Sequence, residues 1–415
     1  MPNLNIFKSV YKRRIIMLKG KTVLLCVSSS IACYKIPDLA RVLTKMGCEV
    51  HVAMTKNTLN FIQPLTFETL TQHKCLIDTF DRNFEYSVEH VSIAKKADVV
   101  MVAPATANVI GKIANGIADD MLTTTVMACT CKKIVAPAMN HNMFHNPIVQ
   151  ENIEKLKNYG YEVIEPVRGM LANRDVGDGK LPDVNILLEH ILREIACPKD
   201  LAGKRVLVTA GATRESIDPV RFITNHSSGK MGICLARNAM LRGAEVTLVY
   251  GHTDVELPMF VNNVKAESAE EMFNEVTSRQ KDCDIIIMAS AVADYTPVEV
   301  ADSKIKKSEG EMSIPLKRTK DILAYLCEHR AGRQVICGFS METENLIENS
   351  KKKLEKKKCD MICANSLRKE GAGFGTDTNI VTVITKEGDE ELELMSKADV
   401  ADSILSRIKN LLSEN

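Results

Sequence analysis

The sequence predicts an α/β protein made of two doubly wound, Rossmann-like domains with mainly parallel sheets. Three observations predict it. The chain has 415 residues, enough for two or three hydrophobic cores. Each half opens with a short apolar run, a turn of small polar residues, an amphipathic stretch and a second apolar run. Between the halves, Cys197-Pro-Lys-Asp200 interrupts the periodicity.

The elements follow in order. Residues 1–16 carry basic residues with no long apolar run behind them, so they read as a short extension and not a signal peptide. Lys21–Val27 is the first strand and ends in the turn Ser28-Ser29-Ser30. Ile36, Leu39, Ala40 and Leu43 share one face at helical spacing, Gly47 ends that helix, and Glu49–Met54 is the next strand. A strand–helix–strand unit favours parallel pairing. Asp98–Ala103, Lys133–Ala136 and Glu162–Ile164 are further strands. The second half repeats the plan: strand Gly203–Thr209, a Gly/Thr turn, a helix after Gly229, and strand Ala244–Tyr250. Asp284–Ala289, Gln334–Phe339, Asp360–Ala364 and Asn379–Thr385 continue the series. The domains are therefore drawn at 17–194 and 204–415, with 195–203 as linker. The two halves share an architecture but no fixed-period repeat.

Composition excludes several classes. Hydrophobic residues make up 45% and charged residues 26%, as in soluble globular proteins. A net charge of +1 supplies no general attraction to nucleic acid or membrane. No stretch reaches the roughly 20 apolar residues of a spanning helix. The 13 cysteines include no Cys-x-x-Cys pair and are odd in number, which suits reduced thiols in the cytoplasm. Cys129 with Cys131, and Cys359 with Cys363, suit buried apolar thiols better than metal ligands.

Sheets of this kind bind ligands at the carboxyl ends of their strands, where loops and helix N-termini offer N–H groups to phosphates. Phosphorylated ligands or nucleotides are expected in both halves. No Gly-x-Gly-x-x-Gly follows the first strand. Ser228-Gly229-Lys230 is not a P-loop, because Thr224 replaces its first glycine and Met231 its magnesium-binding hydroxyl. An NAD dehydrogenase and a P-loop enzyme are thus disfavoured.

Four segments of the first half carry a resemblance: Ser28-Ser-Ser-Ile-Ala-Cys-Tyr-Lys35, Ala103-Pro-Ala-Thr-Ala-Asn108, Pro137-Ala-Met-Asn-His-Asn-Met143 and Gly169–Gly179. In that order they resemble the flavoprotein cysteine decarboxylases. The resemblance implies FMN, held at its phosphate by Ser28, Ser29 and Ser30, with Thr55, Thr106 and Asn108 against the cofactor. It implies that His90, in Glu89-His-Val-Ser-Ile93, is the active-site histidine. Asn140 would hold the substrate carboxylate, and Met143 would line the substrate site. In such enzymes flavin oxidises the thiol end of the substrate, giving CO2 loss an electron sink, and the product is then reduced. Asn173 departs from the pattern. It stands in the flap where the family has a proton-donating cysteine, and Arg174 follows where the family has glycine. An amide does not donate a proton as a thiol does, so the final reduction needs another donor or stalls.

In the second half, Thr209–Gly232 resembles phosphopantothenoylcysteine synthetase over its whole length. Ala289–Asp294, Lys304–Lys307, Gly338-Phe339 with Glu342-Thr343, and Gly373–Asn379 resemble it too. Together the resemblances cover about residues 17 to 410 in the order of the fused bacterial decarboxylase–ligase of coenzyme A biosynthesis. They imply that CTP activates 4'-phosphopantothenate as an acyl-cytidylate, that cysteine displaces CMP, and that Mg2+ and lysines neutralise the phosphates. Asn225 would steady the acyl-cytidylate. Gly211, Ser227, Ser228 and Gly229 would approach phosphates. Lys304, Lys353, Lys357, Asp294, Asp321, Ile322 and Phe339 would surround the nucleotide. Lys320 stands before Asp321-Ile322 where the family has proline. The resemblance also implies a homo-oligomer, a dodecamer if flavin-domain trimers combine with ligase-domain dimers. Three other readings are carried: an FMN-binding regulatory protein and a ligase with a stalled decarboxylase half, either of which suits Asn173, and an oxidoreductase with two nucleotide-binding domains.

Overall fold

The computed structural model describes residues 18–79, 89–170, 176–306, 312–342, 344–366 and 375–414. Residues 1–16, Asn173, Arg174, Lys307, Thr343, Gly373 and Phe374 lie outside the described residues. The chain forms two compact units, Met1–Cys197 and Pro198–Asn415.

The first unit holds a five-stranded sheet. Its strands are β1 (Thr22–Val27), β2 (Glu49–Met54), β3 (Val99–Ala105), β4 (Lys132–Pro137) and β5 (Glu162–Val163), in the order β2-β1-β3-β4-β5. All pairings are parallel. Every residue of β1 and β3 is buried, which is why these strands are continuous apolar runs without alternation. Helix α1 (Ile36–Lys45) buries Ile36, Leu39, Ala40 and Leu43. Pro37 fits its first turn, Asp38 and Lys45 complement its dipole, and Gly47 leaves it at φ +81°. Each buried leucine contributes about 1.5–3 kcal/mol of apolar burial. In this strand order β1 is left in opposite directions, towards β2 and towards β3. The crevice for a ligand therefore opens at the carboxyl ends of β1 and β3.

An antiparallel pair that the sequence reading did not separate, β6 (Val167–Met170) and β7 (Val176–Lys180), stands after this sheet. Its strands are short and rich in glycine and charge, so neither apolar period marks them.

In the second unit, β8 (Arg205–Ala210) lies near the middle of an eight-stranded sheet. Two short strands follow it, β9 (Arg214–Ser216) and β10 (Phe222–Thr224), paired antiparallel. The sheet continues through β11 (Glu245–Tyr250), β12 (Asn262–Lys265) and β13 (Ile285–Met288). The small ribbon β14 (Tyr295–Pro297) and β15 (Leu316–Arg318) comes next. Then follow β16 (Val335–Glu342), β17 (Met361–Ser366), β18 (Thr378–Asn379), β19 (Val381–Thr385) and β20 (Asp389–Glu391). The order is β12-β11-β8-β13-β16-β17-β19-β20. Pairing is parallel through β17, and β19 and β20 add antiparallel. Here the direction switches at β8 and β13. The helix after Gly229 spans Lys230–Leu241. Its end is fixed by Arg242, 4% exposed, which donates to both Asp200 carboxylate oxygens at 2.8 and 2.7 Å and to Ser406 at 3.0 Å. A buried guanidinium needs such partners, because the desolvation of its charge is otherwise uncompensated. No helix among the described residues is long and apolar enough to cross a membrane.

Candidate active sites

In the first unit the β1 and β3 turns are tied together. Ser28 is fully buried. Its Oγ donates to the Pro104 carbonyl at 2.6 Å and accepts the Thr106 N–H at 3.1 Å. Its hydroxyl faces the neighbouring turn, which leaves Ser29 and Ser30, both half-buried, as the serines open to a ligand. The Ser28 hydroxyl, expected at the phosphate, is engaged by the neighbouring turn. Thr106 caps the eight-residue helix Ala107–Ala114, and Asn108 is exposed on its first turn. Thr55 N–H donates to the Val27 carbonyl at 3.2 Å, bringing the β2 turn to the same end of the sheet.

The β4 turn carries Asn140, whose Oδ1 accepts the Asn142 N–H at 2.9 Å. The base of the β6–β7 flap is fastened to it. Met139 N–H donates to the Gly179 carbonyl at 3.0 Å, and Asp178 N–H donates to His141 Nδ1 at 3.1 Å. His145 Nε2 and Asp178 Oδ2 are 2.9 Å apart. A Cβ on Gly179 would collide with the Met139 carbonyl oxygen, and one on Gly177 would lie 2.8 Å from the His141 ring. Only glycine permits this approach. Sequence reasoning missed His141, Asp178 and these two glycines as positioning residues. Their signal was the Gly-x-Gly spacing on one face of a strand. Met143 is 48% exposed. His90 is half-buried on the first turn of helix Glu89–Lys96; among the described residues no hydrogen bond joins it to Asn140.

This end of the sheet fits a flavin mononucleotide. Ser29, Ser30, Thr55, Thr106 and Asn108 offer neutral hydroxyl, amide and N–H groups beside a helix N-terminus, and none is a carboxylate that would repel a phosphate.

In the second unit the carboxyl ends of β8, β13 and β16 form the corresponding crevice. Gly211, at φ +76°, has no room for a Cβ, which would lie 2.5 Å from the His252 carbonyl oxygen. Gly229, at φ +75°, is nearly as tight, since a Cβ there would lie 3.1 Å from the Gly211 nitrogen. It starts the helix Lys230–Leu241 without a side-chain cap. The first N–H groups of that helix are left for an anion. Ser227 Oγ accepts the Gly229 N–H at 3.3 Å, and Thr253 Oγ1 donates to the Ser228 carbonyl at 2.7 Å. Asn225 Nδ2 donates to the Val292 carbonyl at 3.1 Å, which joins it to the loop ending at exposed Asp294.

Lys304 is exposed on a loop held from beneath. Buried Asp218 accepts from Ile305 N–H at 3.2 Å and from Arg221 Nε at 2.9 Å, and Arg221 donates to the Ile305 carbonyl at 2.9 Å. The Arg221 guanidinium holds the Asp218 carboxyl well below the usual range. Asp218 and Arg221 were not singled out from the sequence as anchors of this loop.

Phe339, Asp321, Ile322, Lys353 and Lys357 come together. Lys353 Nζ donates to the Phe339 carbonyl at 3.0 Å, and Lys357 Nζ lies 2.8 Å from Asp321 Oδ2. Asp321 also caps the helix beginning at Ile322. Burial pushes the Lys353 ammonium below its ordinary pKa, and Lys357 adds to this. Two hydroxyls at the same strand ends, Ser290 Oγ and Ser340 Oγ, are buried without a hydrogen-bond partner. Lys320, in place of the family's proline, pairs with Glu270 at 2.9 Å and lies over the Phe273 ring. A separate cleft of about 520 Å³ is lined by residues such as Arg214, Phe222, Glu271 and Arg318; none of the nucleotide residues named from the sequence lines it.

Comparison with known proteins decides the family. The coenzyme A biosynthesis bifunctional protein CoaBC of Bacillus subtilis (strain 168) is 46% identical over 401 residues, 95% of this chain and 98% of that protein. This chain belongs to the CoaBC family. The CoaBC of Borreliella burgdorferi is 41% identical over 391 residues, 94% of this chain and 99% of its own. Residues 201–412 match the DNA/pantothenate metabolism flavoprotein C-terminal domain family, and residues 13–196 match the flavoprotein family. A crystal structure of the C-terminal domain of a CoaBC shares 43% identity, covering 52% of this chain and all of its own at a TM-score of 0.45. As a CoaBC, the chain is an enzyme with two activities, phosphopantothenate–cysteine ligase and phosphopantothenoylcysteine decarboxylase, in coenzyme A biosynthesis.

Proposed function

We propose that the second unit joins 4'-phosphopantothenate to cysteine at the expense of CTP, and that the first unit, with FMN, decarboxylates the product to 4'-phosphopantetheine. The observation that carries this reading is the convergence of Gly211, Asn225, Asp294, Phe339 and Lys353 on the carboxyl ends of β8, β13 and β16, although they are spread over 143 residues (211 to 353).

In the ligase the substrate carboxylate attacks the α-phosphorus of CTP and pyrophosphate leaves. The cysteine amine then attacks the acyl carbon and CMP leaves. The N–H groups at Ser228 and Lys230, beside Gly229, receive phosphate oxygens, where the helix dipole favours negative charge. Lys304, Lys353 and Lys357 share the phosphate charge with Mg2+. Asn225, held by the Val292 carbonyl, presents its remaining amide atoms to the acyl-cytidylate. The unpartnered hydroxyls of Ser290 and Ser340 support a polar ligand at these strand ends.

In the decarboxylase Ser29 and Ser30 would hold the FMN phosphate and Thr55, Thr106 and Asn108 would lie against the cofactor, with Ser28 fixing the two turns. FMN, when bound, supplies the two-electron chemistry that makes loss of CO2 accessible. Asn140 orients the substrate carboxylate, and His90 moves a proton near it. The flap base is fastened through Asp178 and His141; in the sequence, Asn173 stands where the family has its proton-donating cysteine. With an amide there, the proton of the last reduction comes from another donor. A cytoplasmic homo-oligomer suits these small soluble substrates.

The ligase reading is tested by following CMP release with 4'-phosphopantothenate and cysteine. Wild type releases CMP with CTP, and Lys353→Met loses at least tenfold in kcat/KM for CTP. Equal activity of the variant, or no CMP at all, overturns it.

A further inference from the structure

At the far end of the first sheet, a group of ligating side chains takes no part in either reaction. Glu49 and His51 are two residues apart on β2 and therefore project from the same face. His73 joins them. It follows Gln72, whose left-handed conformation (φ 60°) ends the helix Pro64–Thr71 and turns the chain back along β2. Leu76 then pairs with β2, its N–H donating to the Val52 carbonyl at 2.8 Å and its carbonyl accepting Met54 N–H at 2.8 Å. Glu49 and His51 are thus carried on sheet backbone, and His73 is held between the Thr71 hydroxyl, which accepts its N–H at 3.3 Å, and the sheet-bonded Leu76, the kind of support a preformed ligand set needs.

Both imidazoles direct Nε2 at one carboxylate oxygen. His51 Nε2 lies 2.8 Å and His73 Nε2 3.9 Å from Glu49 Oε1. The rings stack at 4.2 Å between centroids and 20° between planes. An ion pair with Glu49 needs one imidazole; a second ring stacked on the first, with its Nε2 turned to the same oxygen, is more than that pair requires. We infer that Glu49, His51 and His73 form a binding site for a divalent transition cation of the zinc class. Two imidazoles and a carboxylate are a zinc ligand set that leaves a fourth position for water. The three ligand atoms lie within 4.8 Å of one another. Around a tetrahedral ion at ordinary bond lengths they would lie roughly 3.4 Å apart, so small side-chain rotations close the site. Glu49 is 41% and His73 36% exposed at the side chain, which leaves the ion a path in. Lys96 is the nearby cation that works against a metal. The bound ion would fasten the 73–76 segment to the edge of the sheet.

The test is calorimetric titration of Zn2+ into the full-length flavin-replete protein, beside His51→Gln, His73→Gln and Asp178→Asn. The last variant probes the other such group, His141, His145 and Asp178. The proposal expects one equivalent of Zn2+ whose affinity falls at least tenfold in both histidine variants and not in Asp178→Asn. Zn2+ should also raise the melting temperature of wild type but not of His73→Gln. Unchanged binding in the histidine variants, or loss only in Asp178→Asn, overturns it. Equal flavin absorbance and circular dichroism establish that the variants are folded.

Discussion

The Ser28 hydroxyl donates to the carbonyl of Pro104 at 2.6 Å, across the switch point of the first sheet, while accepting the Thr106 N–H at 3.1 Å. One buried side chain thereby sets the spacing of two turns that face the flavin. Ser28→Ala leaves the Thr106 N–H without its partner and the Pro104 carbonyl with only the long 3.4 Å bond from the residue 28 N–H, which costs about 1–3 kcal/mol. The expected result is a lower unfolding temperature, less FMN retained after gel filtration, and reduced decarboxylation with ligation unchanged. FMN absorbance per chain checks it.

Gly211 and His252 approach too closely for any other residue at 211. Gly211→Ala places a methyl group 2.5 Å from the His252 carbonyl oxygen in a backbone conformation that alanine resists. The strain is about 1–3 kcal/mol and falls on the phosphate turn. Ligation should drop at least tenfold through KM for CTP, with decarboxylation of supplied 4'-phosphopantothenoylcysteine unaffected. Steady-state kinetics of the two half-reactions check it.

Asp321 has two tasks, capping its helix and holding Lys357. Burial works to raise its carboxyl, but the Lys357 ammonium and the Ala324 N–H outweigh that and hold it below the usual carboxylate range. Asp321→Ala removes a cap worth about 1 kcal/mol and frees Lys357 from its 2.8 Å partner. KM for CTP should rise several-fold, with KM for cysteine unchanged. Asp321→Asn, which keeps an N-cap acceptor, should recover the stability but not the KM.

The Asp200–Arg242 pair gives the second unit an acid limit. The Arg242 guanidinium, with Lys409 beside it, lowers the Asp200 carboxyl from 3.8 to about 2. A depressed folded-state pKa stabilises above the unfolded value and is lost as pH falls through the folded one. The contribution is therefore full above about pH 4 and disappears towards pH 2. Asp200 is 26% exposed at the side chain, so solvent screening reduces the pair to about 1 kcal/mol. Asp200→Asn should melt a few degrees below wild type at pH 7, and the difference should shrink as the scan pH is lowered towards 3.

Much of this was legible in the sequence, for identifiable reasons. Strands such as Thr22–Val27 and Ile285–Met288 are buried on both faces, so they are unbroken apolar runs. Helix Ile36–Lys45 shows its buried face at regular spacing. The short ribbons β6–β7, β9–β10 and β14–β15 are half-exposed and only a few residues long, too short to display a period. At the sites, the motif residues Asn140 and Gly229 stand in turns before helices, and Lys353 reaches the Phe339 carbonyl from the helix Leu346–Lys357. The motifs did not reveal that the Ser28 hydroxyl turns inward, since a polar turn and a phosphate turn have the same composition. Asp218 and Arg221 were hidden for another reason: their partner, Ile305, is more than 80 residues away and is met through its backbone.

The central claim is that one chain both makes and fully decarboxylates 4'-phosphopantothenoylcysteine, with asparagine at position 173. It is tested by giving the full-length flavoprotein 4'-phosphopantothenate, cysteine, CTP and Mg2+ and following the products by mass spectrometry. The account predicts accumulation of 4'-phosphopantetheine with one CMP released per product. Accumulation of a species two hydrogens lighter, or of undecarboxylated 4'-phosphopantothenoylcysteine, would contradict it.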